Sequence, residues 1–313
     1  MFKPSVVWLA ASMASWGGDQ IASPIADDVP SLEQLREGLL RQRYFADDGI
    51  LTAVYLALVL GRPLLVEGEP GVGKTELARS LAGLLGRELV RLQCYEGLDA
   101  AQALYEWDYP RQLLHVRAGD QVGDLYADEF LLERPLLRAV RSGDRAVLLI
   151  DEVDRSDSEF EAFLLEFLDA FQITIPERGT VRADKPPLVI VTSNRTRELH
   201  DAFKRRCMYH WIAFPEPERE REIIRAHAPG VDEAAARALV EAVLAVRSLR
   251  LVKRPGTAET IDWARGVSAL VQQGHLWPDA LRRSLGLLLK DQDDVEMAVA
   301  EIQVLRIAPG SGL

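Results

Sequence analysis

Apolar residues along the chain follow two spacings, one typical of buried strands and one typical of helices. Five short runs, most of them continuously apolar, predict the strands of a sheet that is covered on both faces. They lie at residues 63–67, 89–94, 146–150, 188–194 and 209–214. Between the runs, apolar residues recur every three to four positions, as in Leu77, Leu81, Leu84 and Leu85. The alternation predicts an α/β fold with a parallel five-stranded sheet flanked by helices.

Further elements are predicted outside this sheet. A helix is expected to begin at Ser31, and helical spacing returns at residues 47–60 and 130–141. Residues 160–171 carry phenylalanine and leucine at the spacing of a helix that faces the core. Alternating residues at 173–181 predict a hairpin.

Pro215 and Pro217 mark the end of the sheet-bearing part, because two prolines flanking one residue are compatible with neither a helix nor an interior strand. After them the chain shows helical spacing alone. The predicted helices lie near residues 218–228, 232–250, 257–273 and 278–302. We therefore expect a second, all-α domain.

These patterns divide the chain into four parts. They are an N-terminal extension at 1–30, an α/β domain at 31–215, an α-helical lid domain at 216–305 and a tail at 306–313. The extension is expected to be poorly ordered. Its apolar stretch at 6–16 is too short to cross a bilayer, which needs about 20 residues, so a weak membrane or partner anchor is the alternative. Residues 95–127, rich in aromatic and acidic side chains, are expected to form an insertion.

A glycine-rich loop follows the first predicted strand and leads into a helix that starts near Lys74. Its residues are Gly68, Glu69, Pro70, Gly71, Val72, Gly73, Lys74 and Thr75, and Glu76 follows. In this Walker A pattern the glycines let backbone N–H groups point at a phosphate, Lys74 can reach the β- and γ-phosphates, and the Thr75 hydroxyl can ligate Mg²⁺. An ordinary glycine turn is the alternative, but the flanking strand and helix favour a site for ATP or GTP.

Two carboxylates, Asp151 and Glu152, follow the predicted strand at 146–150, at the edge where open α/β sheets bind ligands. Asp151 is predicted to hold Mg²⁺ through water beside Thr75, and Glu152 to orient and deprotonate the water that attacks the γ-phosphate. Asn194 ends the next buried strand and is a candidate to hold that water or the γ-phosphate. A turn-capping role is its alternative.

A cluster of three cations, Lys204, Arg205 and Arg206, precedes the last predicted strand. Such a cluster is usually a solvated surface. Here it is placed where a neighbouring subunit could insert an arginine into the site, which would neutralise the charge that develops on the transferred phosphoryl group.

Composition narrows the function further. The 313-residue chain has a formal net charge of -11, so a large nucleic-acid-binding face is not expected. The chain has two cysteines, Cys94 and Cys207, and their spacing fits neither a disulfide framework nor a zinc site. A reduced cytoplasmic compartment is therefore favoured. A peripheral association with a membrane is the alternative location, because of the apolar N-terminal stretch. A small GTPase is disfavoured because the Asn-Lys-x-Asp motif is missing.

These motifs, in this order and followed by a helical domain, resemble those of the AAA+ P-loop ATPases, and most closely the MoxR branch. The resemblance covers roughly residues 31–300. Within that branch, four segments are similar to the CoxD group, which is associated with maturation of molybdenum-copper carbon monoxide dehydrogenase and related hydroxylases. The segments are residues 92–97, 105–109, 192–201 and 204–207.

The resemblance implies a homo-oligomeric ring, expected to be hexameric, with ATP and Mg²⁺ bound between subunits. Arg206 matches the arginine-finger position of the family, with Arg205 as a possible substitute. The insertion and the hairpin resemble segments that face the ring axis in the family. Tyr105, Trp107 and Tyr109 are therefore candidates for gripping a substrate, with a buried aromatic cluster as the alternative.

One departure from the family concerns the lid domain. Many MoxR-like sequences carry a nucleotide-contacting arginine where this chain has Ala258. Arg254, or Lys253 beside it, is the expected replacement.

The function implied is that of an ATP-hydrolysing chaperone that remodels or matures a metal-cofactor enzyme. A von Willebrand factor type A protein and a molybdenum hydroxylase are the expected partners. A DNA-associated AAA+ motor and a non-catalytic, nucleotide-dependent assembly switch are the alternatives.

Overall fold

The computed structural model describes residues 29–117 and 125–304. Nearly all of the predicted extension at 1–30 lies outside these residues. So do the turn-rich middle of the predicted insertion, at 119–124, and the tail at 306–313.

The described residues form nine strands and fourteen α-helices, together with three short 3-10 helices. Strands β1 to β9 span Leu64–Gly68, Glu88–Gln93, Tyr105–Trp107, Leu131–Glu133, Ala146–Asp151, Gln172–Ile175, Gly179–Arg182, Leu188–Ser193 and Met208–Ile212. Helices α1 to α14 span Leu32–Arg41, Asp48–Leu60, Lys74–Leu85, Ala100–Leu104, Tyr109–Arg117, Pro135–Ser142, Ser158–Ala170, Asp201–Arg206, Pro217–His227, Glu233–Ser248, Thr257–Gln272, Trp277–Arg283, Leu285–Leu288 and Gln292–Val304.

Five of the strands form one parallel sheet in the order β2-β5-β8-β1-β9, which confirms the predicted α/β architecture. β5 and β8 are buried along their whole length, as their unbroken apolar runs predict. The register brings the carboxyl ends of the strands to one edge, where Gln93 lies beside Asp151 and Glu67 beside Ser193. This edge carries the polar residues of the site.

Each face of the sheet packs its own core. On one face Leu148 packs with Leu136 of α6, and on the other Leu149 packs with Leu77 of α3. A third core surrounds the fully buried Trp263 and belongs to the helices that follow β9. The C-terminal region is therefore helical and has its own interior.

The first two helices begin where the sequence predicts. The Ser31 hydroxyl accepts the N–H of Gln34 at 3.2 Å, and the Gln34 side chain accepts the N–H of Ser31 at 2.8 Å, which forms a capping box at α1. Asp47 caps α2 by accepting the N–H of Ile50 at 2.7 Å. The loop between these helices faces the site.

The predicted helix at 130–141 is wrong in its first part. Residues 131–133 form β4, which pairs antiparallel with β3, and α6 begins only at Pro135. The residue before a proline disfavours the helical conformation, whereas proline itself suits the first helical position. Arg134 is accordingly extended, with φ -88° and ψ 169°.

The predicted single helix at 278–302 is also wrong, because it is divided into α12, α13 and α14. At the first break the Ser284 hydroxyl donates to the carbonyl of Ala280 at 2.7 Å. At the second, the Asp291 carboxylate accepts the N–H groups of Asp293 and Asp294 at 3.0 and 3.3 Å and so starts α14. Serine and aspartate side chains compete with helical backbone bonds in this way.

The predicted hairpin at 173–181 is confirmed as β6 and β7, in which Ile173 pairs with Val181.

The aromatic residues that are candidates for gripping a substrate differ in how far they are exposed. Trp107 is 7% exposed and packs edge-on against Tyr105 and Tyr126, so the buried-cluster alternative holds for it. Tyr109 is 64% exposed.

Candidate nucleotide-binding site

A cavity of about 810 Å³ lies at the carboxyl edge of the sheet, between the phosphate loop and helices α9 and α11. That is within the usual range for a small-molecule site. Its lining includes most of the residues predicted from sequence: Pro70, Gly71, Val72, Gly73, Lys74, Thr75, Glu76, Asp151, Glu152 and Asn194. The remaining loop residues, Gly68 and Glu69, hold Lys74 through their carbonyl groups.

The loop has the backbone shape of a phosphate cradle. Gly71 and Gly73 have φ of 79° and 95°, in the left-handed region that glycine adopts without strain. Helix α3 starts at Lys74, and no side chain among the described residues caps it. Its first N–H groups are therefore open toward the cavity, which is a favourable arrangement for an anion.

Lys74 is held inside this cradle. Its Nζ donates to the carbonyls of Gly68 and Glu69 at 2.7 and 2.8 Å, and the residue is 7% exposed. Burial lowers the pKa of the ammonium to about 8, partly opposed by the nearby carboxylates of Asp154 and Asp151. A bound phosphate would favour the charged form.

Asp151 lies at the end of β5 with its side chain 3% exposed. Its Oδ1 accepts the Thr192 hydroxyl at 2.6 Å, and its Oδ2 accepts Arg91 Nε and Nη2 at 3.0 and 2.6 Å. The Thr75 hydroxyl lies 3.1 and 3.3 Å from the two oxygens. A hydroxyl beside a carboxylate, both at the mouth of a phosphate loop, is the oxygen donor set that fits Mg²⁺.

Glu152 is held in an uncommon backbone conformation, φ 56° and ψ 50°, which costs a non-glycine residue about 1–3 kcal/mol. Its N–H donates to the Thr192 hydroxyl at 2.9 Å. The carboxylate accepts Gln93 Nε2 at 3.0 Å and Asn194 Nδ2 at 3.3 Å, and Arg155 Nε lies 3.1 Å away. The structure thus places Glu152 and Asn194 side by side, and their roles in holding and activating water stay predictions.

The turn that carries Asn194 is held by hydrogen bonds to the buried Asp154, which is 3% exposed. The Asp154 carboxylate accepts the N–H groups of Asn194 and Thr196 at 3.1 and 2.8 Å and the Thr196 hydroxyl at 2.7 Å. Because Asp154 belongs to the segment after β5, the positions of Glu152 and Asn194 are coupled.

The other end of the cavity is more apolar. It is lined by the loop before α2, the end of β9 with the residues after it, and one side of α9, including Tyr44, Phe45, Ile212, Phe214 and Ile223. Burial raises the pKa of Tyr44, so its hydroxyl stays protonated. Arg43, Asp47 and Arg219 line the same end, so apolar and charged side chains both lie beside the phosphate cradle. Such a surface suits the base of a nucleotide.

Helix α11 closes the cavity from the helical region. The N–H of Ala258 donates to the carbonyl of Gly71 at 3.1 Å, so the phosphate loop and the helical region are in direct contact. Arg265 lines the cavity from the third turn of this helix, and its Nε donates to the carbonyl of His227 at 2.9 Å. Arg254 does not line this cavity; it faces a separate hollow of about 220 Å³. Its predicted contact with the nucleotide is therefore not supported, and Arg265 is better placed.

Arg205 and Arg206 do not line the cavity. Arg206, at the end of α8, pairs with Asp169 of α7 through Nε and Nη2 at 2.6 and 2.7 Å. Its side chain is 44% exposed. The predicted roles of both arginines in a neighbouring subunit's site remain predictions.

Several site residues were missed by the sequence analysis. Arg91, Gln93 and Thr192 surround the two carboxylates, yet each lies inside a predicted strand, where alternate polar residues are expected. A usable signal existed for Gln93, because it stands at the carboxyl end of its strand, the edge that binds ligands.

Comparison with known proteins agrees with this geometry. Residues 63–207 match the family described as the AAA domain of the dynein-related subfamily. Protein CbbQ of Hydrogenophilus thermoluteolus is 29% identical over 195 residues, 60% of this chain and 66% of that protein. Protein NorQ of Paracoccus denitrificans (strain Pd 1222) is 28% identical over 221 residues, 68% of this chain and 75% of that protein. The chaperone protein ClpB of Leptolyngbya boryana is 26% identical over 59% of this chain but only 21% of its own length.

Among solved structures, a point variant of Thermotoga maritima RuvB has a TM-score of 0.49 and 17% sequence identity, over 86% of this chain and 73% of that one. Within the part of the chain that the structure describes, no helix is long and apolar enough to cross a membrane. The matched family and the relatives CbbQ and NorQ indicate that this chain hydrolyses ATP and depends on Mg²⁺, and the residues of the site fit both.

Proposed function

We propose that this chain, an ATPase with an AAA domain at residues 63–207, works as a MoxR-type chaperone that remodels or matures a metal-cofactor enzyme. The observation that carries the proposal is the direct contact between the phosphate loop and the helical region, where the Ala258 N–H donates to Gly71. Through this contact, the presence and charge of a nucleotide can change the position of the helical region. The similarity to CbbQ and NorQ supports the MoxR assignment.

The chain's own residues divide the hydrolytic work. Glu152 would accept a proton from the attacking water, which Asn194 would hold, and Lys74 together with the N–H groups of α3 would bind the β- and γ-phosphates. Thr75 and Asp151 would hold Mg²⁺, which neutralises charge on the phosphate oxygens. Arg265 would contact the nucleotide from the helical side.

The proposal includes a homo-oligomeric ring, expected to be hexameric. Arg206 and Arg205 lie outside the cavity of their own chain, and Arg206 is partly exposed at the end of α8. We therefore propose that one of them completes the site of a neighbouring subunit, with Arg206 as the first candidate.

The client proposed is a molybdenum hydroxylase, assisted by a von Willebrand factor type A protein. Support comes from the four CoxD-like segments in the sequence. One of them contains the exposed Tyr109, and another contains Asn194 and the turn fixed by Asp154.

A trapping experiment in the native host tests this function. Glu152→Gln should retain ATP binding while hydrolysis falls about 10²- to 10⁴-fold, because a general base is lost. The tagged variant, purified with ATP, should have the mass of a hexamer and retain a hydroxylase subunit or a von Willebrand type A protein, identified by mass spectrometry.

Lys74→Ala is the matched control, because it removes phosphate binding and should retain neither partner. Full turnover by Glu152→Gln would contradict the mechanism. Equal retention by both variants, or retention of DNA that stimulates hydrolysis, would contradict the proposed role.

A further inference from the structure

The two acidic residues of the site are connected by side chains of a neighbouring strand. Arg91 and Gln93 project from β2, which pairs with β5 so that Gln93 lies beside Asp151. Arg91 donates to Asp151 Oδ2 at 3.0 and 2.6 Å, and its Nη2 also donates to Gln93 Oε1. Gln93 Nε2 then donates to Glu152 at 3.0 Å. A continuous path of hydrogen bonds thus runs from Asp151 to Glu152.

Arg91 and Glu152 together fix which way the Gln93 amide points. A guanidinium only donates hydrogen bonds, so the atom of Gln93 that meets it must be the carbonyl oxygen. The amide NH₂ is then left to face the Glu152 carboxylate, which only accepts while it is ionised. Gln93 Nε2 also lies 3.4 Å from the Cys94 carbonyl, so without Arg91 the nitrogen would keep its acceptors. The Gln93 oxygen would lose this donor, and the amide would be held less firmly.

Arg91 also fixes the Asp151 carboxylate. Thr192 binds one carboxylate oxygen and Arg91 the other, while the Thr75 hydroxyl lies almost equally far from both, at 3.1 and 3.3 Å. The carboxylate is therefore held by both oxygens, with Thr75 beside it. Groups that orient a metal-binding carboxylate in this way normally contribute to metal affinity.

We infer that Arg91 is a positioning residue for both acidic groups, orienting Asp151 for Mg²⁺ directly and Glu152 for water activation through Gln93. Arginine suits this role because its rigid, planar group presents Nε and Nη2 to Asp151 and Nη2 to Gln93 in a fixed geometry, which a flexible lysine does not. The inference rests on the ATPase reaction alone and holds whatever the client is.

Arg91→Met tests the direct effect on the metal. The half-saturating Mg²⁺ concentration for ADP binding, followed by calorimetry without turnover, should rise about 10- to 100-fold. ADP binding in the presence of EDTA should not change. Arg138→Met is the matched control, because Arg138 pairs with Glu88 at the far end of the same strand and should leave the Mg²⁺ dependence unaltered.

The relay through Gln93 is tested by a double-mutant cycle on kcat. Gln93→Leu should lower kcat without changing the half-saturating Mg²⁺ concentration, and adding Arg91→Met to it should lower kcat no further once Mg²⁺ is saturating. Arg91→Lys keeps a cation beside Asp151. Compared with Arg91→Met, it should therefore show most of the wild-type Mg²⁺ affinity, but its kcat should stay low. If Arg91→Met does not fold, Arg91→Lys still tests whether Arg91 acts on kcat through Gln93.

Two results would overturn the inference. Unchanged or tighter Mg²⁺ binding in Arg91→Met would mean that the guanidinium does not orient Asp151 or competes with the metal. Additive losses of kcat at saturating Mg²⁺ would mean that Arg91 does not act through Gln93. Failure of the client experiment affects neither measurement, since only ADP, ATP and Mg²⁺ are used.

Discussion

The two ends of the cavity are built in different ways. The phosphate end consists of one continuous loop, residues 68–75, and the ends of two adjacent strands of a rigid sheet. The base end gathers Tyr44, Phe214, His227 and Arg265 from segments that are far apart in the sequence. The first end depends on local backbone geometry, whereas the second exists only when the helical region is in place.

A buried ion pair supports the base end. Arg247 donates to both oxygens of Glu220 at 2.8 Å, and the two side chains are 8% and 0% exposed. Arg247 Nε also donates to the carbonyl of Pro255 at 2.9 Å, and its guanidinium lies 4.5 Å from the centre of the Phe214 ring. It thus joins the exit of β9 to the loop that precedes α11.

The largest effect is expected when this pair is broken. Arg247→Met leaves the Glu220 carboxylate buried without a partner, which should reduce the free energy of unfolding by about 3–5 kcal/mol. Urea denaturation would measure it, and ADP affinity should fall as well, because the base end loses its support. Arg225→Met, which breaks an exposed pair with Glu233, is the control and should change stability by about 1 kcal/mol or less. Equal effects of the two variants would mean that the base end does not depend on the buried pair.

The same contrast explains what could be predicted from sequence. The phosphate loop, Asp151, Glu152 and Asn194 were predictable because their positions follow from the ends of strongly apolar strands and from one contiguous motif. Arg265 was not, because its approach to the cavity depends on how α11 packs against the phosphate loop. Arg254, a cation near the start of that helix, was the more obvious candidate for contacting the nucleotide. In the structure it lines another hollow instead.

The errors in the helices have a similar origin. Apolar spacing alone could not distinguish one long helix at 278–302 from three short ones, since the breaks are made by single polar side chains, Ser284 and Asp291. Arg91 was missed because an arginine on an edge strand looks solvent-facing. Its partner Asp151 belongs to another strand, 60 residues further along the chain.

A smaller effect is expected at the contact between the two ends. A Cβ on Gly256 would lie 2.6 Å from the carbonyl oxygen of Pro70 and 2.7 Å from Gly71 Cα, so Gly256→Ala must push α11 away from the phosphate loop. Overpacking of this kind costs about 1–3 kcal/mol, and the part of it that ADP binding must restore should weaken ADP affinity, by up to about 150-fold in calorimetry. Gly286→Ala is the control, because a Cβ there has open space. Unchanged ADP affinity in Gly256→Ala would show that the ends are not coupled through this contact.

The smallest effect belongs to the phosphate end and depends on pH. Because burial lowers the pKa of Lys74 to about 8, the free site loses its ammonium charge above that pH, whereas a bound phosphate requires the charge. The dissociation constant for ADP should be nearly constant below pH 8 and about tenfold higher at pH 9 than at pH 7. Lys74→Arg should remove this dependence, because a guanidinium stays protonated throughout. A pH dependence that persists in Lys74→Arg would assign the titration to a group other than Lys74 and would leave the phosphate end insensitive to this range of pH.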